Sequence, residues 1–191
     1  MALQQLLLLW RKDSTLCSRM VSISCAAYAV IEATARLVAA GANWSKARFS
    51  YQEYFERMDK QAERFGQPVS ALLGSIEAQI QLGLPSIGGK DSMSGTFEEL
   101  TVPPTLVAFG VTTADSRKVL SPEFKATGEN IYYIPGQALA QEIDFDLIKS
   151  NFAKFEAIQA TIKSDLHQLS NMVVWLKLLP LQHLVTILVP L

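Results

Sequence analysis

A short stretch rich in glycine, lysine, aspartate and serine carries the residues of this chain that are best suited to bind a ligand. Residues 85–95 read Pro-Ser-Ile-Gly-Gly-Lys-Asp-Ser-Met-Ser-Gly. The adjacent Gly88 and Gly89 allow the backbone to turn tightly and to approach a ligand closely. Successive backbone N–H groups in such a turn can bind an anion, and Lys90 can pair with a phosphate. The composition therefore indicates either an anion-binding turn or an ordinary Gly/Ser turn.

The side chains after the glycines add carboxylate and hydroxyl groups. Asp91 could hold a metal or a ligand hydroxyl, and Ser92 and Ser94 each supply one donor and two acceptor lone pairs. The spacing G-x-x-x-x-G-K-[ST] is missing, so the stretch is not a Walker A loop. Lys90 and Ser92 are alternate residues, and they share one face if the segment is extended.

Composition and charge exclude several classes of function. The 191 residues suit one or two small domains, and 49% of them are hydrophobic. The formal net charge of −1 gives no electrostatic attraction for nucleic acid or for an acidic membrane. Cys17 and Cys25 form neither a disulfide framework nor a CxxC motif, so we expect a reducing, cytoplasmic compartment. His167 and His183 lie far apart from the glycine-rich stretch, and we expect no metal or catalytic role for them.

Both ends of the chain are apolar, but neither has the pattern of a membrane segment. Residues 1–10 include four consecutive leucines, yet no basic residue precedes them and no small-residue cleavage site stands out. Residues 172–191 include Lys177 and Pro180, which both oppose a membrane helix. We therefore expect no membrane partner.

Helical periodicity predicts three helices before the glycine-rich stretch. The first runs from Ala26 to Gly41, the second covers residues 49–65, and the third begins at Pro68 and closes at Gly83. The apolar residues that we expect on the buried face of the first helix are Ala27, Val30, Ile31, Thr34, Leu37 and Val38. Those that we expect to form the buried stripe of the third helix are Val69, Leu72, Leu73, Ile76 and Ile80.

The second half of the chain predicts two strands and one long helix. After a polar bend at Glu98 and Glu99, residues 105–112 read as a buried strand, and residues 131–134 read as a second strand. Residues 115–128 form a polar connector, which is the candidate boundary between two modules. A helix capped by Asp144 or Asp146 runs to about Lys163. Its expected inward residues are Phe145, Ile148, Phe152, Phe155, Ile158 and Ile162.

The glycine-rich stretch and its neighbours together resemble one enzyme family. The run I-G-G-K-D-S-M-S-G at residues 87–95 is similar to the signature of phosphoribosylformylglycinamidine synthase, the amidotransferase of purine synthesis. Four further segments agree, in order: A-A-Y-A-V-I-E-A-T-A-R-L-V-A-A-G-A, A-R-F-S-Y-Q-E-Y-F-E, P-P-T-L-V-A-F-G-V and L-S-P-E-F-K. The match covers about residues 26–164, and its order and spacing resemble the second synthetase half of the large single-chain form.

This resemblance implies an α+β fold of the aminoimidazole ribonucleotide synthase type. Residues 26–120 would be part of its N-terminal α/β module, whose sheet helps to form a central barrel. Residues 121–168 would begin its C-terminal α+β module.

Residues 1–25 and 169–191 do not match the family, and we infer from the genetic code that a shift of reading frame accounts for the departure. Regrouping the codons of residues 171–190 by one base, with suitable synonymous codons, gives a segment that resembles the Gly-Gly-hydrophobic-Ala-Glu-Ala segment expected next. Residues 19–24 regroup to Gly-Trp-Ser-Pro-Phe-His, which resembles the family just before Gly-Ala-Ala-Tyr. We therefore expect both ends to be out of frame.

The resemblance also implies a reaction. It is the ATP-dependent conversion of formylglycinamide ribonucleotide to formylglycinamidine ribonucleotide, with glutamine as the ammonia source, ATP and Mg²⁺ as cofactors and the rest of the synthetase and the glutaminase domain as partners. The glutaminase cysteine has no counterpart here, so we expect the chain alone to be inactive. Two alternatives stay open: a non-catalytic, partly folded fragment, and another ATP-using member of the superfamily such as a thiamine-phosphate or selenide kinase.

By resemblance, the site residues fall into three groups. No residue is assigned a catalytic role. The nucleotide-binding residues would be Gly88, Gly89 and Lys90, and the substrate-binding residues would be Asp91, Ser92 and Ser94. Glu32 would be a magnesium ligand, although Arg36 stands where many family members have an asparagine.

Overall fold

The computed structural model describes residues 2–7, 21–116, 119, 131–134, 142–162, 173–179 and 182–188. The chain divides into two compact units. One comprises residues 3–33 and 48–110, and the other comprises residues 1–2, 34–47 and 111–191. The connector predicted at residues 115–128 falls mostly outside the described residues. The predicted module boundary at residue 120 therefore stays a prediction.

The described part of the chain contains three α-helices interspersed among nine strands. Its elements are β1 (Ala2–Leu7), α1 (Val21–Ala39), β2 (Arg48–Tyr54), α2 (Ala62–Leu82), β3 (Ser86–Ser92), β4 (Thr96–Phe97), β5 (Leu100–Thr101), β6 (Thr105–Thr112), β7 (Ile131–Tyr133), α3 (Phe145–Ile162), β8 (Val173–Leu179) and β9 (Gln182–Leu188). The strands form a four-stranded sheet in the order β1-β6-β2-β3, the hairpin β4-β5, and a three-stranded sheet in the order β7-β9-β8.

Helix α1 is the buried centre of the first half, as its periodicity predicts. Every residue expected on its inner face is buried, and Val30, Ile31 and Leu37 have no exposed surface. The helix ends at Ala39, and Gly41 follows with a positive φ of 85°, a backbone conformation that favours glycine. The predicted first helix is therefore confirmed, except that it begins at Val21, five residues before its predicted start.

The helix predicted over residues 49–65 is wrong, because residues 48–54 form strand β2. Phe49, Glu53 and Phe55 are buried while the residues between them are partly exposed. This alternation with a period of two is the pattern of a strand that buries one face. Chain segment 55–61 then leads to α2 without regular structure.

The predicted third helix is confirmed, but its start and its buried face are not. Helix α2 begins at Ala62, passes through Gly66 and contains Pro68 in its interior. It ends at Gly83, whose φ of 68° and ψ of 30° give a left-handed cap. The stripe expected to be buried is exposed instead: Val69 54%, Leu72 52%, Leu73 52%, Ile76 40% and Ile80 73%.

The buried face of α2 consists mainly of small residues: Ala71, Gly74, Ser75 and Ala78, with Pro68 and Leu82 at its two ends. Gly74 lies directly on the backbone of Ile23 in α1, so a Cβ atom at this position would collide with the Ile23 carbonyl. Close approach of two helix backbones requires residues without bulky side chains. The large aliphatic residues of α2 therefore point away from α1.

Strands β6 and β7 and helix α3 follow the sequence prediction, whereas strands β8 and β9 were not predicted and Ile148 and Ile158 of α3 are only half-buried. Strand β6 has the predicted bounds, and β7 covers three of the four residues expected. Asp144 caps α3, because its Oδ1 accepts the Leu147 N–H at 2.8 Å. Phe145, Phe152 and Phe155 are buried, as predicted. The Phe152 ring packs on Trp44 with ring centroids 5.5 Å apart. The side chain of Ile162 falls outside the described part of the chain.

Candidate functional site

The glycine-rich stretch is an extended edge strand and not a tight turn. Residues 86–92 form β3, which pairs in parallel with β2 and is the outermost strand of its sheet. Among the described glycines, only Gly41 and Gly83 have a positive φ. The turn after α2 is made by Gly83, and the Phe49 N–H then donates to the Pro85 carbonyl at 3.1 Å. The prediction of an anion-binding turn at Gly88 and Gly89 is therefore wrong, since both glycines belong to strand β3.

The two glycines have different surroundings. A Cβ atom at Gly89 would lie 2.9 Å from the carbonyl oxygen of Tyr51, closer than side chains approach in practice. A Cβ atom at Gly88 would meet nothing within 4 Å. Gly89 is thus required for β3 to lie against β2, whereas Gly88 leaves open space at the exposed surface of the strand.

Side chains alternate between the two faces of β3. The strand continues through Ser92, so Lys90 and Ser92 share one face, which we call the lysine face. Gly89 and Asp91 lie on the opposite face, the aspartate face. In the parallel register, Lys90 is next to Gln52 and Asp91 is next to Glu53. Residues 86–91 are exposed and Ser92 is half-buried, so both faces are accessible at the end of the strand.

The end of β3 is held in place by backbone hydrogen bonds. The Phe55 N–H donates to the Ser92 carbonyl at 2.8 Å, and the Gly95 N–H donates to the Phe55 carbonyl at 2.9 Å. The Val102 N–H donates to the Gly95 carbonyl at 2.7 Å, and a Cβ atom at Gly95 would collide with the Val102 side chain. Ser94 is exposed next to this fixed point. These hydrogen bonds therefore fix the backbone that carries the two predicted serines, Ser92 and Ser94.

The predicted magnesium ligand lies elsewhere, in α1. Glu32 is 4% exposed and is engaged within the fold, and Arg36 follows it by one helical turn. Over the residues that the structure describes, no group of three or more His, Cys, Asp and Glu side chains could hold a metal ion. A magnesium site centred on Glu32 therefore has no supporting set of protein ligands, and its role stays a prediction.

Glu53 is a candidate that sequence reasoning missed. Glu53 is 6% exposed and is the register partner of Asp91, on the aspartate face. Burial, and to a smaller extent the negative charge of Asp91, together raise the pKa of the Glu53 carboxyl from 4.5 to about 7. The signal was the alternation of Phe49, Tyr51, Glu53 and Phe55, which indicates a strand with a carboxyl group on its buried face.

Tyr51 lies two residues before Glu53 on the same face. Its ring stacks on Phe49 with centroids 6.0 Å apart, and its hydroxyl is buried without a hydrogen-bond partner among the described residues. Burial raises the pKa of this hydroxyl, so it stays protonated. The buried side of β2 thus carries two polar groups, a phenol and a carboxyl, next to the aspartate face of β3.

This arrangement of elements is the α+β fold of the aminoimidazole ribonucleotide synthase type, as the sequence predicts. Three similar solved structures come from Thermotoga maritima. Phosphoribosylformylglycinamidine synthase II has a TM-score of 0.56 at 16% identity, over 87% of this chain and 29% of that one. The PurLQS structure has a TM-score of 0.61 at 14% identity, over 97% and 34%. PurL complexed with AMPPCP has a TM-score of 0.60 at 15% identity, over 90% and 30%.

These similarities define the fold and leave the reaction open, because every identity is low. The chain spans about a third of the length of the similar structures. No family model and no curated protein matches the sequence. Within the described residues, no helix is long and apolar enough to cross a membrane.

Proposed function

We propose that this chain is part of the synthetase portion of a phosphoribosylformylglycinamidine synthase and contributes a strand of its ligand site. The observation that carries the proposal is β3, whose exposed glycines, lysine and serine run along the edge of the sheet. The similar solved structures support it, since one is named as this enzyme and another is complexed with the ATP analogue AMPPCP. The motif I-G-G-K-D-S-M-S-G adds the specific resemblance to this family.

The reaction that follows needs charge neutralisation and positioning more than covalent catalysis. The amide oxygen of formylglycinamide ribonucleotide would take the γ-phosphoryl group of ATP and release ADP. Ammonia derived from glutamine would then add to the activated carbon, and phosphate would leave to give the amidine. A fixed cation and hydrogen-bond donors directed at the transferring phosphoryl group stabilise such a step.

In this proposal, residues 88–92 and Ser94 each have a role in binding that suits their chemistry. Open space over Gly88 allows the nucleotide to lie close to the backbone, while Gly89 keeps the strand in place. Lys90, which is exposed, would bind a phosphate as a point charge. The hydroxyl groups of Ser92 and Ser94 would donate hydrogen bonds to the phosphate of the ribonucleotide, and the Asp91 carboxylate would accept them from its ribose hydroxyl groups.

The remaining parts of the enzyme would lie on other segments or chains. The proposal assigns this chain to the second synthetase half of the large single-chain form, acting in the cytoplasm with the rest of the synthetase and a glutaminase domain. The nucleophile that releases ammonia has no counterpart among its residues. We therefore expect the purified 191-residue chain to show no ATP- and ammonia-dependent turnover. Measurable synthetase activity of the chain alone would contradict this assignment.

The decisive experiment compares three alanine variants in β3. Calorimetry would measure binding of AMPPCP and of formylglycinamide ribonucleotide to wild type, Lys90→Ala, Ser92→Ala and Ser86→Ala, with melting temperatures recorded in parallel. Loss of one charge-assisted hydrogen bond weakens binding by about ten- to hundredfold. We expect this loss for Lys90→Ala or Ser92→Ala and little change for Ser86→Ala.

Ser86 is a matched control for Ser92. It lies in the same strand, is exposed, and is about 13 Å from Lys90 at roughly 3.3 Å per residue; a shift in the register with β2 separates it from Gly88. If all three variants bind both ligands as wild type does, β3 does not contact ligand. If melting temperature falls together with affinity, the two residues stabilise the strand instead. Binding of thiamine phosphate in place of formylglycinamide ribonucleotide would favour the kinase alternative.

A further inference from the structure

Helix α2 presents a continuous stripe of large apolar side chains to solvent. These side chains recur at helical spacing, so they fall within about 100° of one another around the helix axis. The small residues that pack on α1 lie on the opposite side of the helix. The members of this stripe, which we call the α2 stripe, are each between 40% and 73% exposed: Phe65, Val69, Leu72, Leu73, Ile76 and Ile80.

The α2 stripe is large enough to form an interface. Monomeric proteins rarely expose a contiguous apolar patch of more than a few hundred Å². Six large side chains that are about half-exposed present on the order of 600 Å² per chain, which is at the upper limit of that range. Contact between two such patches would bury roughly 1,200 Å², the lower limit for a specific and stable interface. A second patch of the same size would therefore cover the stripe.

The spacing of the α2 stripe is the same when it is read in either direction along the helix. Successive members are 4, 3, 1, 3 and 4 residues apart, so the midpoint lies between Leu72 and Leu73. A two-fold interface requires that residue i contacts residue j and that j contacts i in return. If two copies of α2 pack antiparallel about this midpoint, every stripe residue faces another stripe residue. The facing pairs are Phe65 with Ile80, Val69 with Ile76, and Leu72 with Leu73.

Charges favour the antiparallel arrangement over a parallel one. Between Phe65 and the end of α2 the only charged residue is Glu77, which is exposed and borders the stripe. In the antiparallel pair the two copies of Glu77 lie about 14 Å apart along the axis, at 1.5 Å per residue, which exceeds the screening length of about 8 Å at physiological salt. In a parallel pair they would lie side by side and repel each other. The net charge of −1 adds little repulsion between whole chains.

We propose that the α2 stripe is an interface through which two copies of this chain associate, antiparallel about Leu72 and Leu73. The association uses a helix face and requires neither a nucleotide nor β3, so it goes beyond the proposed function. The other possible occupant of the stripe is a separate segment of a longer synthetase. That occupant would leave the 191-residue chain monomeric.

The oligomeric state of the whole chain tests the proposal. An interface of this size gives a dissociation constant in the micromolar range, so sedimentation velocity is measured from about 1 to 200 μM. Replacing both Leu72 and Leu73 by glutamate places four carboxylates at the two-fold axis, and we expect self-association to weaken by at least about a hundredfold. Replacing both by lysine should have the same effect, whereas an equimolar mixture of the two variants should again form a dimer.

The control is Val119→Glu, at a residue that is 51% exposed and lies outside α2. This variant adds the same charge to a comparably exposed apolar position, and we expect it to associate as wild type does. Circular dichroism checks the fold of every variant. The central leucines are both 52% exposed, so their substitution leaves the contact with α1 at Gly74 in place.

Cross-linking tests the orientation without introducing a charge. In a background with Cys17 and Cys25 replaced by serine, a short bismaleimide should link two copies of Leu72→Cys and should not link Ile80→Cys. In the antiparallel pair the two Ile80 positions are about 22 Å apart along the axis, at 1.5 Å per residue. In a parallel pair they would be neighbours.

The proposal is overturned if the wild-type chain stays monomeric at about 200 μM, or if the glutamate variant associates as wild type does. It is also overturned if the mixture of oppositely charged variants stays monomeric, or if Ile80→Cys is linked at least as readily as Leu72→Cys. A monomer that binds AMPPCP would leave the proposed function intact and assign the stripe to another part of the enzyme. A dimer that binds no AMPPCP would support the interface and contradict the proposed function.

Discussion

The packing of α2 against α1 at Gly74 predicts how a Gly→Ala substitution changes stability, and Gly66 in the same helix provides the control. Alanine is favoured over glycine inside a helix by about 1 kcal/mol, so Gly→Ala normally stabilises. At Gly66, earlier in α2, a new Cβ atom would meet nothing within 4 Å. At Gly74 it would collide with the carbonyl group of Ile23, which is backbone and cannot rotate away. The same substitution in the same helix should therefore have opposite effects.

The size of the effect follows from the two surroundings. Gly66→Ala should raise the free energy of unfolding by about 1 kcal/mol. Overpacking of this kind costs about 1–3 kcal/mol, and more when backbone must move. Because both variants gain the same helix propensity, the difference between them isolates the steric cost at Gly74, and we expect a difference of at least about 2 kcal/mol. Urea unfolding followed by circular dichroism measures it as a change in midpoint at constant slope.

The refuting result is equal stabilisation by the two alanines, which would mean that α1 and α2 do not touch at Gly74. Leu72→Ala then distinguishes the two possible faces of α2. Leu72 is 52% exposed, and exposed positions usually change stability by no more than about 0.5 kcal/mol. If the large aliphatic stripe were the buried face, Leu72→Ala would instead cost about 2–5 kcal/mol.

Three further variants test β3 and Glu53. Gly89→Ala should destabilise by about 1–3 kcal/mol, since its Cβ would lie 2.9 Å from the Tyr51 carbonyl oxygen, whereas Gly88→Ala should be neutral or slightly stabilising; equal urea midpoints would contradict the close pairing of β2 and β3. The pKa of Glu53 is raised from 4.5 to about 7 in the folded chain, so its contribution to stability in metal-free buffer is complete below pH 4.5 and is lost as pH rises through 7. This loss of stability is at most about 3 kcal/mol. Glu53→Gln should abolish the decrease in the free energy of unfolding between pH 4.5 and 7, and an unchanged decrease would show that another group titrates.

Elements with one apolar face could be predicted from the sequence. α1 is buried along nearly its whole inner side, and β6 is a continuous apolar run, so one pattern fits each of them. Asp144 begins α3 because a side-chain oxygen before a helical pattern is a local signal. The motif that carries Lys90 and Ser92 was found by resemblance, but its conformation was not, because paired glycines are compatible with both a turn and a strand.

The face of α2 could not be predicted, because α2 has two faces that could be buried. One carries large aliphatic residues at helical spacing, and the other carries Ala71, Gly74 and Ala78. Hydrophobic periodicity favours the larger side chains, but the distance of approach to α1 favours the smaller ones. That distance depends on a residue 51 positions earlier in the chain, Ile23, and no local pattern contains it.

The wrong prediction of a helix over residues 49–65 also arose because two patterns fit the same residues. This error affects the candidate site, because it concerns the environment of Glu53. Met58 and the aromatic residues at positions 49, 51, 54, 55 and 65 can be fitted to a helix if the charged residues between them face solvent. In that interpretation Glu53 is one of those solvated charges. Once β2 pairs with β3, the same carboxyl group is buried and lies beside Asp91, and its ordinary pKa can no longer hold. A carboxyl group with a strongly raised pKa therefore arises from strand pairing alone, and no local pattern in residues 49–65 contains Asp91.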